Sequence, residues 1–145
     1  MMQMMKVGFT AQGGHNIMNK QDRKLIEKKM AYYAGDPKRV QQFLKVYEFA
    51  KLIGESEEFE SEKLHILRTA AIVHDIGIKI SEKKYGSSGG KYQEKEGPAV
   101  AEPMLCALGY DEAVIDRVLF LIAHHHTYTG IEGEDYQILV EADFL

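Results

Sequence analysis

The chain has 145 residues, of which 45% are hydrophobic, 28% are charged and one, Cys106, is cysteine. That is enough apolar material for one domain with a single core, and the lone cysteine excludes both an internal disulfide and a multi-cysteine zinc site, in keeping with a reducing, cytoplasmic setting. A net charge of −4 argues against a domain that grips a nucleic-acid duplex by its phosphates, and the longest apolar runs, 70–73 and 118–123, are far too short to span a membrane.

Residues 1–18 are methionine-rich, include Gly13-Gly14-His15 and show no periodic pattern. They are expected to form an irregular arm, exposed enough to pack on a second copy of the chain, and they lack the apolar stretch of a signal peptide. Helical periodicity governs 19–145, which is expected to be one helical domain. Its first helix is expected from about Asn19 to Ala34. Asp36 followed by Pro37 reads as an N-cap with proline at the first helical position. Val40, Phe43, Leu44 and Tyr47 then follow at i, i+3, i+4 and i+7, giving a helix to about Ile53 with Gly54 as its stop.

Glu62 to Asp75, through Leu64, Leu67, Ala71 and Val73, forms a helix that is apolar almost all round and therefore central, with Gly77 just past its end. From Lys79 to Lys95 five lysines stand against two glutamates, a local charge of about +3. The glycine- and serine-rich 85–90 gives the segment the composition of a solvated loop; its charge also suits the approach of a small anion. Pro98 is expected to open a helix that ends near Gly109. Asp111 is expected to cap another, carrying Val114, Ile115, Val118, Leu119 and Ile122, and a last helix runs from about Asp135. Asp143 stands close to the final residue, Leu145, so whether this helix continues in a longer chain is left open.

The polar residues at the margins of these apolar helices carry the chemistry. His74 and Asp75 are adjacent, about 100° apart on a helix, so a cation between their directions is offered an imidazole nitrogen and a carboxylate oxygen together. His124 and His125 stand in the same relation at the end of another apolar helix, while His126, a further turn of the wheel on, is expected to point elsewhere. Asp143 follows Ile138-Leu139-Val140 in a third apolar helix. Taken singly, these are a helix cap, imidazoles favoured by a helix dipole and a surface acid. Three helices converging on ligand-type residues favour a divalent transition metal, one or two ions of Fe, Mn, Co, Ni or Zn, over Ca²⁺.

His74-Asp75 in Ala-Ala-Ile-Val-His-Asp-Ile-Gly, the paired His124-His125, and Asp143 in Glu-Ala-Asp together resemble the HD superfamily of metal-dependent phosphohydrolases, over roughly Asp36 to the end. The resemblance implies a compact all-α bundle of about six helices. It also implies metal ligands at His74, Asp75, His124, His125 and Asp143. The family's first histidine, on the helix before the doublet, falls at Gln42, which shares an inward face with Val46, Phe49 and Ile53. Gln93, ahead of Gly97-Pro98, stands at a second place where members with two metals carry histidine. Glutamine is a weaker ligand than imidazole for these metals. Gln42 therefore ligates through its side-chain oxygen, leaves its place to water, or marks a lost centre; the five remaining ligands favour retention.

The activity implied is hydrolysis of a small phosphoester, a nucleotide among the candidates, by a metal-activated water. Asp75 or Glu96 would orient or deprotonate that water. Lys79 would contact phosphate, with Lys91 and Lys95 as lesser candidates. The competing reading is a degenerate HD domain that binds a metal or nucleotide as a regulatory module. A purely structural bundle is the third.

Overall fold

In a computed structural model, which describes residues 19–145, the chain folds into helices α1 (Lys20–Tyr32), α2 (Pro37–Ser56), α3 (Ser61–Val73), α4 (Ile78–Tyr85), α5 (Gly90–Ala107), α6 (Glu112–His124) and α7 (Glu134–Phe144). No strand occurs among the described residues. The expected all-α bundle is thus observed, with α4 as a short addition to the six helices read from the periodicity. The arm expected at 1–18 lies outside the described residues. No helix among those described is long and apolar enough to cross a membrane.

α3 is central, as its all-round apolarity requires. Leu67, Ala70, Ala71, Ile72 and Val73 are all fully buried, and the helix packs against α1, α2, α6 and α7. Phe43, Val46 and Ala50 of α2, Val118 and Ile122 of α6, and Leu139 and Ala142 of α7 complete the same core. Each large side chain among them contributes about 1.5–3 kcal/mol by leaving water.

Local signals set the helix starts. Asn19 caps α1 by accepting from the Gln21 and Asp22 amides at 2.8 and 3.2 Å, and Asp36 caps α2 by accepting from the Arg39 amide at 3.3 Å with Pro37 next in line. Asp111 occupies the N-cap position of α6, but its side chain makes no capping hydrogen bond.

Four boundaries differ from the expected ones, each for a tertiary reason. Gly54 does not stop α2, which runs on to Ser56; a methyl group at Gly54 would lie 2.8–2.9 Å from Leu64 and Leu67, so the glycine serves close packing of α2 on α3. α3 ends at Val73 rather than Asp75, so His74 to Gly77 form a turn into α4. The lysine-rich segment is not one long loop: α4 and the first turns of α5 occupy it, and only 86–89 remain irregular. Pro98 does not open a helix but lies inside α5, as does Pro103. Each proline removes one backbone hydrogen bond, and packing of α5 on α4 and α6 carries the helix through.

The His74–Gly77 turn presses directly on α5. A methyl group at Gly77 would lie 2.8 Å from both the Gln93 carbonyl oxygen and the Gly97 nitrogen. Only glycine allows these two backbones to meet, and their meeting brings Gln93 beneath the doublet.

Candidate metal centre

The turn after α3, the end of α6 and the end of α7 converge. His74 is 2% exposed and Asp75 3% exposed. The His74 Nδ1–H donates to the Ala71 carbonyl at 2.8 Å, which points Nε2 at Asp143 Oδ1, 3.3 Å away. His125 is fully buried and donates from Nδ1 to the Ile122 carbonyl at 2.7 Å. A carbonyl only accepts, so in both rings Nδ1 carries the proton; a neutral His125 then presents a bare Nε2, whereas the His74 Nε2 faces the Asp143 carboxylate, which favours a proton there. Anchoring of one ring nitrogen by a backbone carbonyl is how metal-binding imidazoles are commonly oriented.

His125, His126 and Asp143 each offer a ligand atom within 4.8 Å of the others. Gln93 faces the two histidines. Its amide nitrogen donates to the Ser88 carbonyl at 2.7 Å, which turns Oε1 towards His125 Nε2 and His126 Nε2, 3.3 Å from each. An amide oxygen and the bare Nε2 of a neutral His125 both present lone pairs, so this arrangement invites a cation between them. Two donors bound about 2.1 Å from a shared tetrahedral or octahedral ion lie roughly 3.0–3.4 Å apart, the spacing between Gln93 Oε1 and each of the two imidazoles, while the His125, His126 and Asp143 atoms lie within the wider 4.8 Å. The donor set fits a first-row divalent metal.

His126 is a residue that periodicity placed wrongly. The 100° rule holds only while the helix continues, and α6 ends at His124. Beyond it the His126 amide donates to Glu94 Oε2 at 2.9 Å, Thr127 Oγ1 donates to the same oxygen at 2.8 Å, and Tyr136 Oη donates to the His124 carbonyl at 2.9 Å. These bonds turn the segment back over α5, where Gly90 lies beneath the His126 ring; a methyl group there would come within 2.6 Å of it. His124, expected as a ligand, is instead half-buried, stacked on Phe120 with ring centroids 4.1 Å apart, and its Nδ1 bonds the Phe120 carbonyl at 2.7 Å. It is not in the cluster.

Other expected site residues are engaged elsewhere. Lys79 is exposed, with its ammonium 3.0 Å from the Tyr32 carbonyl and over the Tyr32 ring, at the end of α1. Glu96 accepts from Tyr85 Oη at 2.6 Å and Lys84 at 3.1 Å, tying α5 to α4. Gln42 is half-buried on α2, on the expected face. Asp75 is held by an ion pair to Lys29 of α1 and is likewise outside the His125–His126–Asp143 group. Lys91 is the lysine nearest this chemistry in bonding terms: its side chain is 75% exposed and its ammonium reaches Thr127 Oγ1 at 2.9 Å and Glu94 Oε1 at 3.1 Å.

A family model for the HD domain matches residues 39–143. The chain belongs to the HD domain family. No curated protein and no solved structure matches it. The HD family is largely one of hydrolases, and its domains bind divalent metals. In this HD domain the protonation states of His125 and Asp143 suit that role, and that of His74 differs. Burial pushes His125 down to about 3, helped by the neighbouring His74, so its ring is neutral at pH 7. Burial pulls Asp143 upward, but the hydrogen bond and charge of His74 outweigh it and hold the carboxyl down at about 2. His74 is pulled down by burial and pushed up by Asp75 and Asp143, and the net displacement is upward.

The signs give a pH prediction. His125 titrates at 6.5 when unfolded and at about 3 when folded, so the unfolded chain binds the extra proton between these values and stability falls as pH drops through that window. His74 is raised, so its contribution is complete below 6.5 and is lost as pH rises through its folded value. Metal-free protein is therefore expected to lose stability as pH falls below 6.5, with His65 and His126, both lowered mainly by burial, acting in the same direction. Below that pH, His125 contributes a slope of up to about 1.4 kcal/mol per pH unit. Urea unfolding at pH 6.5 and pH 5 should show this acid loss in the wild type, and a flatter response in His125→Gln.

Proposed function

We propose that this HD domain is a metal-dependent phosphohydrolase acting on a small phosphoester, with a nucleotide as the leading substrate class. The observation that carries this reading is the group of ring-nitrogen and carboxylate atoms of His125, His126 and Asp143 within 4.8 Å. His74 points at the same carboxylate. When bound, a divalent cation supplies Lewis acidity towards a phosphoryl oxygen and acidifies a water.

The chain's own residues do the rest. Ala71 and Ile122 carbonyls hold Nδ1 of His74 and His125 and so turn Nε2 of each ring into the site. Gln93 Oε1 adds a neutral donor to the group, and Glu94 holds His126 over it. Asp143, 18% exposed on its side chain, is where the buried centre reaches solvent. Lys91, exposed beside Thr127, is the cation placed to meet an incoming phosphate, a role that Lys79 leaves open by its engagement with Tyr32.

A screen of nucleotides and p-nitrophenyl phosphate with Mn²⁺, Co²⁺, Ni²⁺ and Zn²⁺ tests the reading. Turnover is expected that falls at least about a hundredfold in His125→Ala with the helical spectrum intact; Gln42→His, which restores the histidine of the family pattern, enters the same screen. No turnover with any metal, in the wild type and in Gln42→His alike, rejects the enzyme. The second reading, a non-catalytic binding module, is favoured by one observation: the doublet's Asp75 already has a cation, Lys29, bonded to it.

A further inference from the structure

Lys29 is an unusual residue to find at the centre of this fold. It comes from α1, outside residues 39–143 that match the family, and it is fully buried. Its ammonium forms an ion pair with Asp75 Oδ1, donates to the Ile72 carbonyl at 2.6 Å and lies 4.2 Å from the centroid of the Phe43 ring. Tyr33, from the turn after α1, closes the same spot by donating from Oη to the Asp75 carbonyl at 3.1 Å. Asp75 Oδ2 is buried and has no hydrogen-bond partner among the described residues.

Stability alone does not call for this pair. A buried ion pair replaced by well-packed apolar residues is often no less stable. The pair does, however, determine what Asp75 is able to do. A carboxylate with one oxygen on a fixed ammonium has lost much of its attraction for a second cation, and a metal on the other oxygen would stand close to Lys29 across a single carboxylate, where like charges repel strongly because little water screens them.

We propose that Lys29 is a built-in cation that keeps the motif carboxylate Asp75 out of the metal's coordination. The centre is thereby confined to the His125, His126 and Asp143 side, and it binds metal more weakly than the same residues would without the lysine. This rests on the metal-centre reading above but is separable from it.

The test is a Co²⁺ titration of the full chain by calorimetry, with the cobalt absorption spectrum and melting temperature recorded for each variant. Lys29→Met is expected to bind Co²⁺ at least about tenfold more tightly than the wild type and to gain more thermal stability from it. Lys29→Gln keeps a hydrogen-bond donor without the charge, and serves as the same test should the methionine variant fold only with metal. Lys29→Met/Asp75→Asn is expected to fall back to wild-type affinity with the wild-type cobalt spectrum. Unchanged or weaker binding in both single variants overturns the proposal, as does a double variant that keeps the gain. A wild type that binds no Co²⁺ beside a Lys29 variant that does leaves the proposal standing and removes the enzyme reading. Binding by the wild type with no gain in the variants does the reverse, and binding by neither removes both.

Discussion

Asp75→Ala is expected to destabilise the fold by about 3–5 kcal/mol, because it leaves the ammonium of Lys29 buried without its counter-charge. Lys29 is fully buried and the Asp75 side chain 4% exposed, so water is poorly placed to replace the lost partner. In a domain of this size the loss corresponds to a fall in melting temperature of about 10 °C or more. Adding Lys29→Met to Asp75→Ala should recover most of it, since the double variant exchanges a broken pair for an apolar contact. A calorimetric melt of the four-member cycle measures the coupling directly. If Asp75→Ala melts within a degree or two of the wild type, the pair is not a structural unit. One practical consequence is that loss of activity in Asp75→Ala alone says little about catalysis, whereas Asp143→Ala acts at a partly exposed side chain, 18% accessible, and leaves the buried ion pair intact.

Asp143→Ala is expected to lower affinity for Co²⁺ or Ni²⁺ by more than about a hundredfold. Disturbing only the partner that orients a ligand typically costs about 10–100-fold, and removing the one anion of the His125–His126–Asp143 group should cost more. His126→Ala should weaken binding substantially. His124→Ala should leave it near the wild-type value, because that ring is committed to Phe120 and its carbonyl. Calorimetric titration of the three variants distinguishes the cluster seen in the fold from the His124-His125 pair that periodicity suggests. Strong loss in His124→Ala with none in His126→Ala contradicts the geometry described here.

Much of the architecture was legible from side-chain chemistry that acts within a turn or two. Asn19 and Asp36 cap their helices because a short side-chain oxygen finds the next free amides. The apolar run through Leu67, Ala71 and Val73 demanded a central helix and is one. Elements whose fate depends on distant neighbours were harder to read. Gly54 and Pro98 carry strong local stop and start signals, yet both lie inside helices because packing on α3, or on α4 and α6, outweighs a local penalty of about 1–3 kcal/mol. The lysine-rich segment looked like a loop by composition, and α4 forms there because Ile78 and Ser81 are buried on one side.

Residue order alone carries an all-helical chain that resembles an HD domain, with His74-Asp75, a histidine cluster and Asp143 towards the ends of apolar helices. These are local patterns, set by 3.6-residue periodicity and by residue type. Which of those side chains meet depends on how the helices pack. His126 replaces His124 because the chain leaves the helix after His124 and is turned back by Glu94. Gln93 enters because Gly77 and Gly97 let two backbones touch. Asp75 is held by Lys29, 46 residues away in sequence, a pairing that no local pattern encodes because it depends on how α1 is laid across the doublet.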